Sequence, residues 1–519
     1  MRGYPRGLGI ACRTIAGALG MAAILPSSGC ADTMVPAPGV ESRDPSATDF
    51  PPFDDAGTFP SPPMTPGCLG FCSPSGAPGP ICPPGSKLGC YVDGNCPGGA
   101  QTTITGTVFD PAGRNPVPNV AVYVPEDPAT VPRLVPGTSS CVACKATVSD
   151  FVAVAFTDAM GHFTLAGVPT GKNVPVILQV GKWRRVITVP EVGDCGATQL
   201  PSSGSNQARL PRNRQEGDIP QMAILTGGCD NVACFLRSVG VDASEFSAPR
   251  AGGRVDVYQG LGATGPAAAL SNAVAGDCTT SACPLWSSKA ALEGYDIVFL
   301  GCECDEHSET KPASSIQALH DWLGEGGEVF ATHSQTTWFK NGPADLQSIA
   351  DWASGSGAPG PFAVDSSFMA GKSLETWLAG VGGVDANGNV PLDPADVSTS
   401  VTTVASPTIA WIHDSAVNDG GAAVNDGGAP AGNTKLLTAP MPVAAADAGS
   451  NLYCGKINVS DIHPGGGQAL QGANSDGSSA PAAVPAACNG GPLSPGDEAL
   501  EFLLFDQLTC IDRPPSPGP

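Results

Sequence analysis

The chain has 519 residues and a formal charge of -23, with 67 Gly, 52 Pro, 6% aromatic and 14% charged residues. So acidic a chain is a poor partner for phosphate backbones, which excludes nucleic acid, and for anionic lipid surfaces unless a lipid anchors it. So much Gly and Pro excludes a helical bundle and predicts loop-rich β structure in about three domains.

Nineteen cysteines point to export and to disulfides. The N-terminus agrees. Arg2, Arg6 and Arg13 lead into the apolar stretch Ile15–Leu25, too short to span a bilayer, and "PSSGC" ends at Cys30. Residues 1–29 therefore read as a signal peptide. The end resembles the lipobox of bacterial lipoproteins, with Ser28-Gly29 before Cys30 and with Ser27 where leucine is usual. The resemblance implies lipidation of Cys30 and a membrane-anchored protein facing the periplasm or cell surface. Residues 30–66 are rich in Pro and acids, lack a hydrophobic period, and read as a disordered tether. In 67–100, Cys68, Cys72, Cys82, Cys90 and Cys96 match no zinc spacing and read as a disulfide-stapled segment. Their odd number requires one to pair elsewhere or stay free.

Residues 101–192 read as an all-β sandwich: short alternating strands broken by turns such as Asp110-Pro111-Ala112-Gly113. "ITGTVFDPAGRNPVPNVAVYV" and "TDAMGHFTLAGVPTG" resemble the carboxypeptidase regulatory-like, transthyretin-like domain, which implies a non-catalytic module of exported proteins. An insert, 127–150, carries Cys141 and Cys144, expected to be a structural disulfide. A polar link, 191–216, follows.

From 217 to 512 strands alternate with helices. "DIPQMAILTGG", "GRVDVYQG", "YDIVFLGCE", "GEVFATH", "PTIAWIH", "TKLLTAPMPV" and "CGKINVSDIH" read as strands. "NVACFLRSVGV", "PASSIQALHDWLGEGG" and "SPGDEALEFLLFDQL" read as helices, the last capped by Ser494 with Pro495 at its first position. The alternation predicts a doubly wound, flavodoxin-like, mostly parallel sheet. Within 415–433, "AVNDGGA" occurs twice and reads as a surface loop whose spacing is not that of an EF-hand.

Ligands of such sheets bind beyond the carboxyl ends of the strands. The residues there are Thr226, Gly227 and Gly228; Cys302, Cys304, Asp305, Glu306 and His307; His333 and Ser334; His413 and Asp414; and Asp461 and His463. Four of the six histidines fall at these ends. Of the group, His333 and His463 are the candidate catalytic residues. Gly227, Gly228, Asp305, Glu306, His307, Ser334 and Asp461 are the candidate binding residues. The ligand types of His307, His333, His463 and Asp461 would suit zinc, but no local pair such as H-x-x-x-H supports it, so no metal and no cofactor is expected. A bond between Cys302 and Cys304 would be strained, so a disulfide from one of them to Cys229, Cys278 or Cys283 is expected.

"YDIVFLG", "EGGEVFATHS" and "GKINVSDIH" resemble the class I glutamine amidotransferase-like fold, closest to its trehalose-utilization-like branch. The resemblance places His333 where amidotransferases carry their nucleophilic cysteine. It keeps His463 and Pro464 of a His-Pro-Glu but puts Gly465 at the glutamate, so glutaminase activity is excluded. The first expectation is a binding or structural role in the cell envelope, with envelope components or carbohydrate as partners. The alternative is a carbohydrate-active or metal-dependent hydrolase using the strand-end histidines, which requires His333, His463 and an acid to converge.

Overall fold

The structure, a computed structural model, describes residues 82–137, 150–263, 276–355, 360–394, 397–414, 433–441, 455–465 and 490–507. The signal peptide, Cys30, the tether, Cys68, Cys72, Cys141, Cys144 and the tandem repeat lie outside the described residues. The chain forms several sheets, one of them large and mixed, with few helices.

The first part holds two small sheets. In one, β1 (Thr103–Thr107) lies between β4 (His162–Ala166) and β7 (Ala197–Gln199). The other runs β3 (Phe151–Phe156), β2 (Ala121–Pro125), β5 (Gly171–Val180), β6 (Trp183–Val192). Strand β4 alternates exposed and buried positions, so Phe163 and Leu165 point one way. They share a core with Ile104 and with Val122, Val124, Val176 and Leu178 of the other sheet. The predicted turn at Asp110 forms: Gly113, at φ 74°, donates its N–H to the Asp110 carbonyl, and Arg114 N–H donates to Asp110 Oδ1 at 2.7 Å. Cys82 pairs with Cys90, and Cys96 reaches forward to Cys195, so the odd cysteine does pair outside its cluster.

The expected polar link is not a free linker. It contributes β7, buries Ala208 and Leu210, and folds Arg209 and Arg212 onto Glu216.

The large sheet has a parallel side built of β8 (Met222–Thr226), β9 (Phe246–Ser247), β10 (Val255–Gln259), β11 (Gly276–Asp277), β12 (Ile297–Leu300), β13 (Glu328–Thr332) and β19 (Gly455–Ser460). Central strands β12 and β13 are buried at every position, as parallel strands covered on both faces must be. Beyond β19 the order continues through β18 (Thr434–Met441), β17 (Ile409–Asp414) and β15 (Phe362–Val364), all antiparallel. The expectation of a mostly parallel sheet thus holds on one side only. An antiparallel neighbour needs no crossover, and an apolar run alone does not state its direction. Strands β14 (Ala350–Trp352) and β16 (Val401–Val404) form a separate pair.

Helices α1 (Val232–Val239), α2 (Lys289–Leu292), α3 (Ala313–Gly324), α4 (Thr337–Lys340) and α5 (Ala344–Gln347) punctuate the parallel side; α6 (Met369–Val381) and α7 (Pro495–Gln507) follow. Asp497 N–H donates to Ser494 Oγ at 3.1 Å at the start of α7, the cap read from the sequence. Both parts share one continuous core. Across the seam Trp183 packs on Phe505 at 5.4 Å, Trp377 Nε1 donates to the Pro116 carbonyl at 2.6 Å, and Lys182 pairs with Asp296.

Candidate active site

Three parallel strands, β8, β12 and β13, lie side by side, with β19 beyond β13. Their carboxyl ends bring four short loops together. Gly227, after β8, lies so close to β12 that a side chain there would collide with the Cys302 carbonyl. Gly228 sits against Cys304. A disulfide, Cys229–Cys304, ties the two loops. Its neighbours in sequence, Asp230 and Cys302, are thereby fixed.

Asp230 is the hub. Its Oδ2 accepts from Cys302 N–H at 2.6 Å and from the Thr332 hydroxyl, and its Oδ1 lies 2.6 Å from His463 Nδ1. Asp230, Thr332 and His463 are all buried. A buried carboxylate with three converging donors can stay in a dry site. It also fixes the ring of His463, as a second carboxylate fixes a catalytic histidine elsewhere.

His333 begins a 3-10 turn directly after β13 and has φ 40°. A non-glycine residue in that region is strained, and the strain is retained where a side chain must be aimed. Its ring meets that of His463 edge to face, with centroids 5.4 Å apart. Its Nδ1 is 3.4 Å from Cys302 Sγ, which is also 3.3 Å from Ser334 Oγ and accepts from Cys304 N–H. His333 is only partly buried, whereas His463 lies behind it. Burial, and then the neighbouring His463, push its pKa below the ordinary histidine value.

Asp461, one residue past β19, is the acid on the other side. Its Oδ2 accepts from Ser400 N–H at 2.7 Å, while Oδ1 is buried with no hydrogen-bond partner among the described residues. Burial pushes its pKa up, against the pull of Ser400, Lys435 and His333. Asp461 and His333 thus act on each other's charge, while burial raises the proton affinity of the acid and lowers that of the base.

Cys302 is the one free cysteine among the described residues. Burial and Asp230 push its thiol up to about 12, so it is no thiolate nucleophile. The expected disulfide forms from Cys304, which pairs with Cys229, while Cys278 and Cys283 pair with each other.

Of the predicted residues, His333, His463, Ser334, Asp461, Gly227 and Gly228 gather here. Glu306 reaches their edge, its charge acting on His333, while Asp305 and His307 make their contacts with other residues. Asp305 is exposed and accepts from Glu306 N–H; Glu306 pairs with Lys340; His307, at φ 45°, turns its Nδ1 to Glu309. The cause is a buried ion pair at 2.7 Å between Glu303 and Lys311, which draws the loop inward ahead of these residues and leaves them on the rim. His413 and Asp414 lie within β17, two strands beyond β19 in the sheet. Asp230 was not foreseen, since "GCDNV" reads as a loop leading to α1. The signal available was its place directly behind Gly227-Gly228, at the end of a central strand.

Among the described residues, the one group of three or more potential ligands within 4.8 Å is Asp93, Cys96 and Cys195, and its two sulfurs are bonded to each other. No protein-family model matches the chain, and no curated protein or solved structure gives a match.

Proposed function

We propose that the large-sheet domain is a hydrolase that acts by acid–base chemistry on a neutral, polyhydroxylated substrate of the carbohydrate class. One observation carries this reading: His333, held at φ 40°, meets His463 at 5.4 Å, with Asp230 bound behind the pair and the orphaned Asp461 beside it. A pair of groups whose surroundings push their proton affinities apart defines an acid and a base. With the thiol proton of Cys302 donated to Ser334, Sγ accepts from Nδ1–H of His333, and Nε2 keeps its lone pair. Nε2 then takes a proton from water as the water oxygen bonds to the electrophilic carbon. Asp461 gives its proton to the departing oxygen. His463, anchored by Asp230, fixes the ring of His333.

The surrounding chain fits an exported protein, because disulfides such as Cys96–Cys195 and Cys229–Cys304 need an oxidising compartment. In this reading Cys30 carries a lipid. The two small sheets form a transthyretin-like β-sandwich, and the large sheet follows the amidotransferase-like, flavodoxin-like plan with its thiol chemistry replaced. The experiment is turnover of a panel of chromogenic glycosides and oligosaccharides by the full chain. Turnover should fall by about a hundredfold or more in His333→Ala and in Asp461→Ala, the range for loss of a general acid or base. Equilibrium binding of the panel without hydrolysis would return the domain to a binding role.

A further inference from the structure

Two other acids lie at the seam between the small sheets and the large one. Asp110, in the turn after β1, is fully buried, and Glu501, in α7, is 1% exposed. One oxygen of each has a donor: Asp110 Oδ1 accepts from Arg114 N–H at 2.7 Å, and Glu501 Oε2 accepts from Asn115 Nδ2 at 2.6 Å. The remaining oxygens, Asp110 Oδ2 and Glu501 Oε1, are buried without a donor, and Asn115 joins the two acids, since its carbonyl also accepts from Asp110 N–H at 2.8 Å. Two buried carboxylates whose charges act on each other repel; a carboxylate and a carboxylic acid can share a hydrogen bond.

We propose that Asp110 and Glu501 share one proton, and that this proton latches the small-sheet part of the molecule to the large-sheet part. The latch holds while the pair keeps the proton and fails when base removes it, because two dry carboxylates then face each other.

The surroundings do not supply an alternative neutraliser. Arg114 acts on Asp110, but its guanidinium donates to the carbonyls of Ser238 and Gly490. Along α7, Glu498 is pushed up to about 7 by burial and by Asp497, and its charge adds to the repulsion on Glu501. From α6, packed against α7, Gly383 just past the helix faces Glu498, while Lys372 and Glu375 are exposed. Burial raises Asp110 to about 6 and Glu501 well above the carboxylate range. Both folded values exceed the unfolded ones, so the stability they give is present at low pH and lost as pH rises. Asp110 ionises first, near 6, and the single shared proton remains above that point.

The test compares the full-length protein with Glu501→Gln, which carries a permanent N–H donor and keeps an acceptor for Asn115. The readouts are the unfolding equilibrium and the amide exchange protection of residues 108–115 and 495–507, corrected for intrinsic rate, between pH 5 and 9. The wild type should lose stability relative to Glu501→Gln by on the order of tenfold in the opening constant per pH unit above about 6, one proton's worth. Asp110→Asn gives the same flattening from the other side and serves where Glu501→Gln does not fold. Parallel pH profiles for the wild type and the folded variant overturn the proposal.

Discussion

Asp230 and the Asp110–Glu501 pair are buried acids of one molecule, and they are held in opposite ways. Around Asp230, Cys302 after β12, Thr332 of β13 and His463 after β19 converge, so both oxygens are satisfied. Around Asp110 and Glu501 each acid has one donor and one bare oxygen. The difference teaches what burial demands of a carboxylate: enough donors, or a proton. The first solution makes a rigid charge that can orient His463. The second makes a contact that responds to pH.

Asp230→Ala should break this contrast most severely. It strips Cys302 N–H, the Thr332 hydroxyl and His463 of their partner and should cost about 3–5 kcal/mol, read from denaturant unfolding at neutral pH. Asp110→Asn should not behave alike, since an amide donates where the shared proton did; a change within about 1 kcal/mol at pH 5 is expected. Equal losses from the two substitutions would sink the comparison.

Between these extremes, Gly227→Ala forces a methyl group onto the Cys302 carbonyl and should destabilise by about 1–3 kcal/mol, while shifting Asp230 and lowering turnover. His333→Asn should be the mildest for the fold. Asparagine tolerates the left-handed region, so stability should move by under about 1 kcal/mol in chemical denaturation while hydrolysis is lost. The pH–rate profile sharpens the same point. A depressed His333 stays unprotonated below the ordinary histidine value, so the acid limb should lie below pH ~6.5. A raised Asp461 keeps its proton above the usual aspartate range, which moves the alkaline limb upward. Rates that climb only above pH 7 would contradict the assignment of His333 as the base.

Much of this architecture was legible. Met222–Thr226, Ile297–Leu300 and Glu328–Thr332 are short apolar runs ending in Gly or a polar residue, and each became a central strand. The strand-end rule found His333 and His463 because position along a strand is local information. Helix α6 was missed because its buried stripe is thin, Leu374, Trp377 and Leu378 with Gly371. The direction of His307 depends on a left-handed turn and on Lys311 reaching Glu303, neither of which spacing shows. Asp110 was read as a turn residue, and it is one. Its second oxygen answers to Glu501, far along the chain, and no local pattern encodes that meeting.

The Cys96–Cys195 bridge has a consequence for how the protein is made. A chain that crosses a membrane N-terminus first delivers Cys82 and Cys90 almost together, and they can close at once. Cys96 then stays unpaired while 98 further residues, including β1 through β6, emerge before Cys195 follows. Every strand of the two small sheets except β7 thus precedes the sulfur that fastens them. Biogenesis therefore depends on holding one thiol open while 98 residues follow it, so a disulfide isomerase should matter more to the yield of this protein than the oxidant that closes its first bridge.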